Sequence, residues 1–326
     1  MSVSLNEIKK PIEKELAAFE IMFRQSMKTK VPLLDTIMTY IVKRKGKQIR
    51  PLFVMLSAQL FGDINIRTYR GASMVELLHT ATLVHDDVVD DSYERRGFFS
   101  INALWKNKIA VLVGDFLLSK GLLLAVEHRD FDLLEILSNS VKEMSEGELL
   151  QLERARFMNA TEEVYFEIIK KKTASLISSC CEIGAASTTK DPDLQKKMRL
   201  FGEQIGIAFQ IRDDLFDFGD NKSGKPAGLD IKEHKLTLPI IYAFSKADKK
   251  DVKRVKKLIR SNKISDAEKI QQVVEFITVH GGMSYAKEKM NECRDKAFEI
   301  LESIQAPKDQ KQVLQYLVNY VIDRTV

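Results

Sequence analysis

Two clusters of aspartates lie inside stretches of this 326-residue chain that are otherwise apolar and have helical periodicity. The first stretch is ATLVHDDVVDD (81–91) and the second is AFQIRDDLFDF (208–218). A carboxylate in apolar surroundings is costly unless a cation pairs with it, and like charges four residues apart on a helix repel. Both helices therefore need a compensating positive charge. The carboxylates are Asp86, Asp87, Asp90 and Asp91 in the first cluster and Asp213, Asp214 and Asp217 in the second.

The spacing within each cluster predicts a metal site. Asp86 and Asp90 are four residues apart and Asp87 and Asp90 three apart, so all three are predicted on one helix face, and Asp213, Asp214 and Asp217 repeat this geometry. Two such helices facing each other would form an oxygen-rich cage suited to Mg²⁺, which favours phosphate partners. Two solvated acidic faces are one alternative, but the apolar neighbours weigh against it. A di-metal helical bundle is another, although neither cluster has the Glu and His three residues apart that such sites use.

The fold class follows from helical periodicity, which covers most of the chain, while strand signals are scarce. We predict an all-α fold with one domain over 1–326 and about ten or more helices around a shared core. Pro51 is expected in the first turn of a helix. The predicted helical stretches include 103–127, 131–156, 162–187, 193–218, 236–246, 249–260, 266–278, 284–304 and 308–323.

Bulk composition excludes several classes of protein. A net charge of +5 is too small to indicate nucleic-acid binding, and no apolar run approaches the ~20 residues of a membrane span. Cys180, Cys181 and Cys293 lack zinc spacing and are expected to be buried reduced thiols. With a polar N-terminus, these features predict a cytoplasmic protein. The lysine-rich stretch 249–257 is expected to be a solvated helix face that makes at most a peripheral membrane contact.

Basic residues flank both acidic clusters in sequence. Their order is basic, acidic, basic, repeated twice along the chain, which suits two phosphorylated substrates. One substrate would be bridged by metal, and the other would be held by cations alone. The basic groups are Lys47 and Arg50, Arg95 and Arg96, Lys170, Lys171 and Lys172, and Lys225 and Lys235.

Taken together, these motifs resemble those of the trans-isoprenyl diphosphate synthases of the long-chain polyprenyl type. The resemblance spans nearly the whole chain in the family's order, and paired DDxxD motifs with RRG and GKxxRP are highly specific. It implies the isoprenoid synthase fold, a helical bundle around a central cavity. The matching segments are GKQIRP (46–51), ELLHTATLVHDDVVDDSYERRG (76–97), GD (114–115), KKT (171–173), GIAFQIRDDLFDF (206–218), GKPAGLDIKEHKLTLPII (224–241) and YVIDR (320–324).

The resemblance also implies a role for each matching residue. Asp86, Asp90 and Asp213 resemble metal ligands, supported by Asp87, Asp214 and Asp217. The residues that resemble the pocket for isopentenyl diphosphate are Lys47, Arg50, His79 and Arg96. Those that resemble contacts to the allylic diphosphate are Arg95, Lys172, Lys225 and Lys235, and those that line the reacting carbons are Thr173 and Gln210.

Two positions depart from the family pattern. His234 stands where a glycine usually precedes the last lysine, which puts the loop around Lys235 in doubt. Asp91 replaces a common glutamate, a change expected to matter little. His79 lies two turns before Asp86, so a ligand role competes with that of an ordinary buried histidine, whereas His85 is expected to be structural.

The activity implied is head-to-tail condensation of isopentenyl diphosphate with an allylic diphosphate, in a homodimer with about three Mg²⁺ per site. Metal and cations stabilise the departing diphosphate, and a dry cavity protects the allylic cation. Ala81 and Thr82 are small and lie just before Asp86, with Leu78 deeper. We therefore predict a product longer than C20, in the C30–C40 range and destined for a quinone side chain.

Other functions remain open at this point. A short-chain (C15 or C20) synthase differs only in product length. A class I terpene cyclase has one diphosphate to hold and would not need Lys47, Arg50 and Arg96. A non-catalytic partner subunit of a heteromeric synthase tends to lose aspartates, and both clusters are intact. A metal-binding helical protein without catalysis leaves the ordered basic residues unexplained.

Overall fold

The computed structural model describes residues 3–43, 46–95, 97–218, 228–261 and 264–323. Its helices form a bundle, which confirms the all-α prediction. In the first half of the chain the helices are α1 (Leu5–Lys9), α2 (Glu13–Ser26), α3 (Pro32–Lys43), α4 (Ile49–Gln59), α5 (Ile66–Val89), α6 (Ile101–Glu127) and α7 (Phe131–Phe157). The second half contains α8 (Glu162–Ile169), α9 (Ser175–Thr188), α10 (Pro192–Asp217), α11 (Leu229–Lys232), α12 (Leu238–Lys246), α13 (Lys249–Ile259), α14 (Asp266–Val279), α15 (Gly282–Glu302) and α16 (Lys308–Ile322).

Most predicted helices match these bounds to within two residues, but the stretch 162–187 does not. A π-helical turn, Lys170–Ala174, separates α8 from α9. Such a turn inserts an extra residue into the helix and is common at functional sites. It lies between α7 and α10, where Gly147 and Gly206 leave room for its backbone. Periodicity could not reveal the turn, because residues 170–173 (KKKT) are all polar and carry no apolar pattern.

Helix α9 lies at the centre of the bundle and is almost entirely buried. It packs against α4, α7 and α10. Its small side chains allow this close approach. A Cβ added to Gly184 would lie 2.3 Å from the carbonyl oxygen of Val54 in α4, and one added to Gly202 of α10 would lie 2.7 Å from that of Ile177. Helix α9 therefore packs closely against both α4 and α10.

Helices α5 and α6 form the most extensive pair and place the first acidic cluster. Asn65 caps α5 by accepting hydrogen bonds from two backbone N–H groups in its first turn. Near the other end, Gly114 of α6 faces the His85 ring, whose Nε2 lies 3.2 Å from the carbonyl oxygen of Val111. His85 therefore contributes to helix packing, as expected.

Two short antiparallel strands, β1 (Glu94–Arg95) and β2 (Phe98–Phe99), form the hairpin that follows α5. Ser100 then caps α6 by accepting a hydrogen bond from the backbone N–H of Ala103. No strands were predicted here, since strand signals are scarce in the sequence.

Helix α6 corrects one expectation. Within the described residues, it is the one helix that is long and apolar enough, by length and composition alone, to cross a membrane. Its buried face, which includes Val113 and Leu117, packs on α5, while Leu112, Leu122 and Leu123 are about half exposed. The expectation of no such apolar run was therefore wrong.

The cysteines behave as predicted. Cys180, Cys181 and Cys293 are free and buried. Burial raises the pKa of the Cys181 thiol to about 12, so the reactive thiolate is scarce at neutral pH.

Candidate active site

The first acidic cluster lies where α5 ends. Asp86 and Asp90 are exposed, whereas Asp87 is buried. Asp90 is the residue after the last helical position, and its backbone N–H donates to the carbonyl oxygen of Asp86 at 2.8 Å. The three carboxylates therefore do not share one face. Asp86 and Asp90 are both exposed, but Asp87 is buried, so its predicted place on the same face was wrong.

Asp87 pairs with Arg95, whose Nε lies 2.7 Å from the Asp87 carboxylate. Desolvation raises the pKa of Asp87, and the Arg95 guanidinium opposes that rise. The hairpin after α5 positions Arg95, and Asn102 of α6 donates to the backbone carbonyl of Asp87 at 3.0 Å. Asp87 thus holds Arg95, which is predicted to contact the allylic diphosphate, beside Asp86 and Asp90.

The second cluster lies at the C-terminal end of α10. Asp213 is half-buried, and the buried Arg212 lies 3.2 Å from its carboxylate. Asp217 accepts a hydrogen bond from the backbone N–H of Asp230 at 3.1 Å, and its carbonyl oxygen accepts from Gly228 at 2.9 Å. Asp217 therefore joins α10 to the start of the segment that carries Asp230.

Asp214 is buried and belongs to a hydrogen-bonded chain of side chains. Its carboxylate accepts from the Tyr165 hydroxyl at 2.6 Å and from Gln210 Nε2 at 2.8 Å. Gln210 Oε1 in turn accepts from the Thr173 hydroxyl at 2.7 Å. Burial and then the Asp230 carboxylate raise the pKa of Asp214 to about 8. These hydrogen bonds position Thr173 and Gln210, the two residues predicted to line the reacting carbons.

The π-helical turn projects Lys172 towards α7. The Lys172 ammonium lies 2.5 Å from Glu148 and donates to Gln151 Oε1 at 2.6 Å. Gly147 makes this approach possible, since a Cβ there would lie 2.7 Å from the backbone nitrogen of Lys172. By contrast, Lys171 pairs with Glu146 and Glu167 on the outer surface.

The Lys172–Glu148 pair lies between the two acidic clusters. Desolvation, and then Glu148, raise the pKa of Asp86, while Lys172 lowers it. The same ammonium lowers the pKa of Asp230, which burial and Asp217 raise to about 6. Lys172 therefore acts on Asp86 of the first cluster and on Asp230, whose backbone N–H donates to Asp217 of the second cluster. That the two clusters form one site stays a prediction.

A cavity of about 120 Å³ adjoins the second cluster. Lys172, Thr173, Gln210, Asp214 and Lys235 line it, so it brings together five of the predicted site residues. Lys235 forms an ion pair with Glu233. Burial lowers the pKa of Lys235, but the carboxylates of Glu233 and Asp230 outweigh it and raise the pKa overall.

The position of His234 explains why a glycine is usual there. Its φ is 58°, in the left-handed region that favours glycine. The turn nevertheless closes, because Lys235 donates its backbone N–H to the carbonyl oxygen of Asp230 at 2.8 Å. Lys235 thus reaches the cavity despite the substitution.

The residues predicted to hold isopentenyl diphosphate lie apart from this cavity. Lys47 is exposed and lies 5.7 Å from the ring centroid of Tyr320. Arg50 is half-buried at the start of α4, and His79 is buried in α5. Arg96 and Lys225 lie outside the described residues. Pro51 stands in the first turn of α4, as predicted, and that helix begins at Ile49.

Two of the three predicted chain-length residues are buried, and the third is half-buried. Ala81 is fully buried in a cluster with Leu77 of α5 and Val113 and Leu117 of α6. Leu78 belongs to the main core. Thr82 is half-buried and donates its hydroxyl to the carbonyl oxygen of His79 at 2.9 Å. Ala81 is therefore packed between α5 and α6.

The donor set fits a hard divalent cation, since it is built from carboxylate oxygens. Within the described ranges, no three acidic, cysteine or histidine side chains converge closely enough to form a complete metal site. This arrangement suits Mg²⁺, which takes one or two carboxylates and completes its shell with waters and substrate phosphates. Asp86, Asp90 and Asp213 are the exposed or half-buried carboxylates that would hold it.

Sequence reasoning missed several residues of this site. Glu148 and Gln151 bind Lys172, while Tyr165 and Asp230 act on Asp214. The sequence did contain a signal for Glu148 and Gln151, because GELLQ (147–151) places these two polar residues three apart on one face of α7.

Comparisons with known proteins identify the family of this chain. A family model described as polyprenyl synthetase matches residues 31–277, more than half of the chain. An all-trans-nonaprenyl-diphosphate synthase (geranyl-diphosphate specific) of Rhodobacter capsulatus is 34% identical over 323 residues, which cover 98% of this chain and 97% of that protein. Heptaprenyl diphosphate synthase component 2 of Bacillus subtilis is 33% identical over 303 residues, which cover 92% and 83%.

A solved structure is similar along its whole length. The polyprenyl synthase of Caulobacter crescentus, complexed with calcium and isoprenyl diphosphate, has a TM-score of 0.89 and 32% identity, covering 100% of this chain and 99% of that chain. The products named for the relatives range from geranylgeranyl to decaprenyl diphosphate, so they differ in chain length.

Proposed function

The chain belongs to the polyprenyl synthetase family and is a prenyltransferase, and we propose that it makes an all-trans polyprenyl diphosphate longer than C20. The substrates are isopentenyl diphosphate and an allylic diphosphate. The observation that supports this site best is the position of Lys172, because it lines one cavity with Asp214 of the second cluster and its ammonium lowers the pKa of Asp86 in the first. Mg²⁺ bound by Asp86, Asp90 and Asp213 would neutralise the charge that builds on the departing diphosphate.

The chain's own residues bind and orient the allylic diphosphate. Arg95, held by Asp87, and Lys172 flank the carboxylates that take the metal. Lys235 reaches the same cavity from the opposite wall. These cations stabilise the diphosphate as its C–O bond breaks. Lys172 must exchange Glu148 for the diphosphate when substrate binds.

The reacting carbons lie beside neutral, fixed side chains. Thr173 and Gln210 are oriented by the hydrogen bonds that end at Asp214 and Tyr165. Their dipoles can stabilise the allylic cation without attacking it. We propose that Lys47 and Arg50 hold isopentenyl diphosphate so that its double bond reaches the cation. The proton lost afterwards passes to the released diphosphate.

The product length depends on the space beneath Asp86. Ala81 is small and fully buried between α5 and α6. A graded series Ala81→Val, Ala81→Leu and Ala81→Phe is expected to shorten the product stepwise, with the largest side chain giving C20 or shorter. If product length stays constant while only the melting temperature falls, Ala81 is ordinary core and the proposed tunnel is refuted.

A homodimer is part of this proposal. Exposed apolar side chains continue along α6, where Leu112, Leu122 and Leu123 are 56%, 51% and 51% exposed, and onto α7, where Leu149 is 68% exposed. Such a patch marks an interface between proteins. Light scattering after gel filtration should give twice the 37.2 kDa chain mass, and Leu112→Glu combined with Leu123→Glu should give a monomer.

The main rival is a partner subunit that depends on a second chain for activity. It is kept here because one relative is named as a component of a heptaprenyl diphosphate synthase. The deciding experiment incubates the purified chain alone with Mg²⁺, labelled isopentenyl diphosphate and separate C5, C10, C15 or C20 primers, and then sizes the products. Products longer than C20 support the proposal. No product from any primer favours the partner subunit, and a cyclic hydrocarbon from a primer alone indicates a cyclase.

A further inference from the structure

The net positive charge of this chain equals the net charge of one short helical segment. Asp248–Arg260, which contains α13, has seven lysines and arginines and two aspartates. Its net charge of +5 equals the net charge of all 326 residues. The remainder of the chain is therefore electrically balanced, and α13 is the origin of its excess charge.

The charges of α13 form a row on one exposed face. Lys249, Lys253 and Lys257 are four residues apart and exposed. Like charges at this spacing destabilise a helix. Among the residues that the structure describes, no carboxylate lies within 4.0 Å of any of the three ammonium groups, although Arg254 on the same helix pairs with Asp251. The row is therefore available to an external anion.

A groove of about 610 Å³ runs beside this row. Its floor is apolar and includes Phe244 and Ala247 at the end of α12 and Val252 of α13. The Lys256 ammonium lies 5.5 Å from the Phe244 ring centroid. An apolar floor with a cationic rim matches an interface that contains both acyl chains and anionic head groups.

The groove adjoins the end of α7. Lys256 donates to the carbonyl oxygen of Met158 at 2.9 Å, and Arg260 donates to that of Phe157 at 3.3 Å. The Phe157 side chain is 56% exposed beside these basic residues. Arg154 and Ala155, one turn earlier, line the catalytic cavity. One end of α7 thus borders both the cavity and the basic surface.

We propose that this surface, formed by Lys249, Lys253, Lys257, Arg260 and Phe157, docks the protein peripherally on an anionic lipid membrane. The charges complement anionic head groups, and the exposed aromatic ring and apolar floor can bury lipid atoms. Nucleic-acid phosphates would satisfy the same charges but would leave the apolar floor without a partner. The docking rests on charge and shape, not on the proposed product length.

The test is co-sedimentation of the full chain with phosphatidylcholine vesicles, with and without phosphatidylglycerol, at low salt. The wild type should bind the anionic vesicles and not the neutral ones, and raised salt should weaken binding. Each basic residue near an anionic surface contributes about fivefold in affinity. The triple variant Lys249→Gln, Lys253→Gln and Lys257→Gln should therefore bind roughly 100-fold more weakly.

A matched control removes the same charge elsewhere. The variant Lys14→Gln, Lys196→Gln and Lys287→Gln alters three exposed lysines on α2, α10 and α15 and should retain binding. Circular dichroism and turnover of a soluble primer should be unchanged in both variants. Equal losses in the two variants, equal binding to neutral vesicles, or tighter binding to duplex nucleic acid at the same salt would each overturn the proposal. Phe157→Ser gives a second readout that leaves the charges intact and should weaken vesicle binding severalfold.

Discussion

Replacing Gly147 with alanine should destabilise the chain, although alanine is the better helix former. Gly147 lies in the interior of α7, where Gly→Ala normally gains about 1 kcal/mol. Here the added Cβ would lie 2.7 Å from the Lys172 backbone nitrogen and 2.9 Å from the Lys171 Cβ. Since backbone cannot rotate away as a side chain does, the overpacking cost should reach about 3 kcal/mol. The net destabilisation is then about 2 kcal/mol.

This free energy converts into a small but measurable change in melting temperature. An unfolding entropy of ~2.1 cal/mol/K per residue over 326 residues gives about 0.7 kcal/mol/K. Gly147→Ala should therefore melt about 3 °C lower by calorimetry. The displaced π-helical turn carries Lys172 and Thr173, so kcat/KM for the allylic substrate should also fall, by about 10–100-fold.

The matched control is Gly121→Ala in α6. A Cβ there would find its nearest atoms at 3.9 Å, an ordinary contact. This variant should therefore gain about 1 kcal/mol and melt about 1.5 °C higher with unchanged turnover. The reasoning fails if Gly147→Ala is stabilised like Gly121→Ala and keeps full activity.

Three further changes test other parts of the structure. Burial raises the pKa of Glu182 from 4.5 to about 7, so the folded chain loses stability as pH rises from 5 to 7, by about 2 kcal/mol after allowance for partial exposure. Glu182→Gln should remove this loss. A pH slope of the melting temperature that is the same in the variant and the wild type would contradict this. His234→Gly should raise stability by about 1 kcal/mol, because φ at this position is 58°, and a lower melting temperature would show that the His234 side chain contributes contacts. Lys172→Met should lower kcat/KM by at least about 100-fold. The melting temperature should change little, because Lys172 serves the substrate site and leaves Glu148 when the diphosphate binds. Loss of the folded structure instead would show a structural role.

Much of the architecture follows from the sequence because the apolar repeats are long and regular. Helices such as α6, α7 and α10 were predicted to within about two residues at each end. The i,i+4 spacing predicted Asp86 and Asp90 on one helix face, and both are exposed at the end of α5, whereas Asp87, predicted on the same face, is buried.

Other features depend on contacts that local patterns do not encode. The π-helical turn before α9 falls on the polar residues KKKT (170–173), where no apolar pattern marks it, and it packs closely against Gly147 and Gly206 on two distant helices. Asp87 turns inward because Arg95, in a hairpin without a strand signal, provides its partner. The role of Glu148 depends on its contact with Lys172, 24 positions away.

The central claim is that the acidic ends of α5 and α10 act as one site with Lys172 between them. The most direct measurement is a crystal structure with Mn²⁺, whose anomalous signal locates the metal, and an unreactive thio analogue of the allylic diphosphate. We predict metal ions that join the diphosphate to Asp86 and Asp90 on one side and to Asp213 on the other, with Lys172 released from Glu148 onto the diphosphate. A diphosphate bound elsewhere, with both aspartate clusters free of metal, would contradict the account.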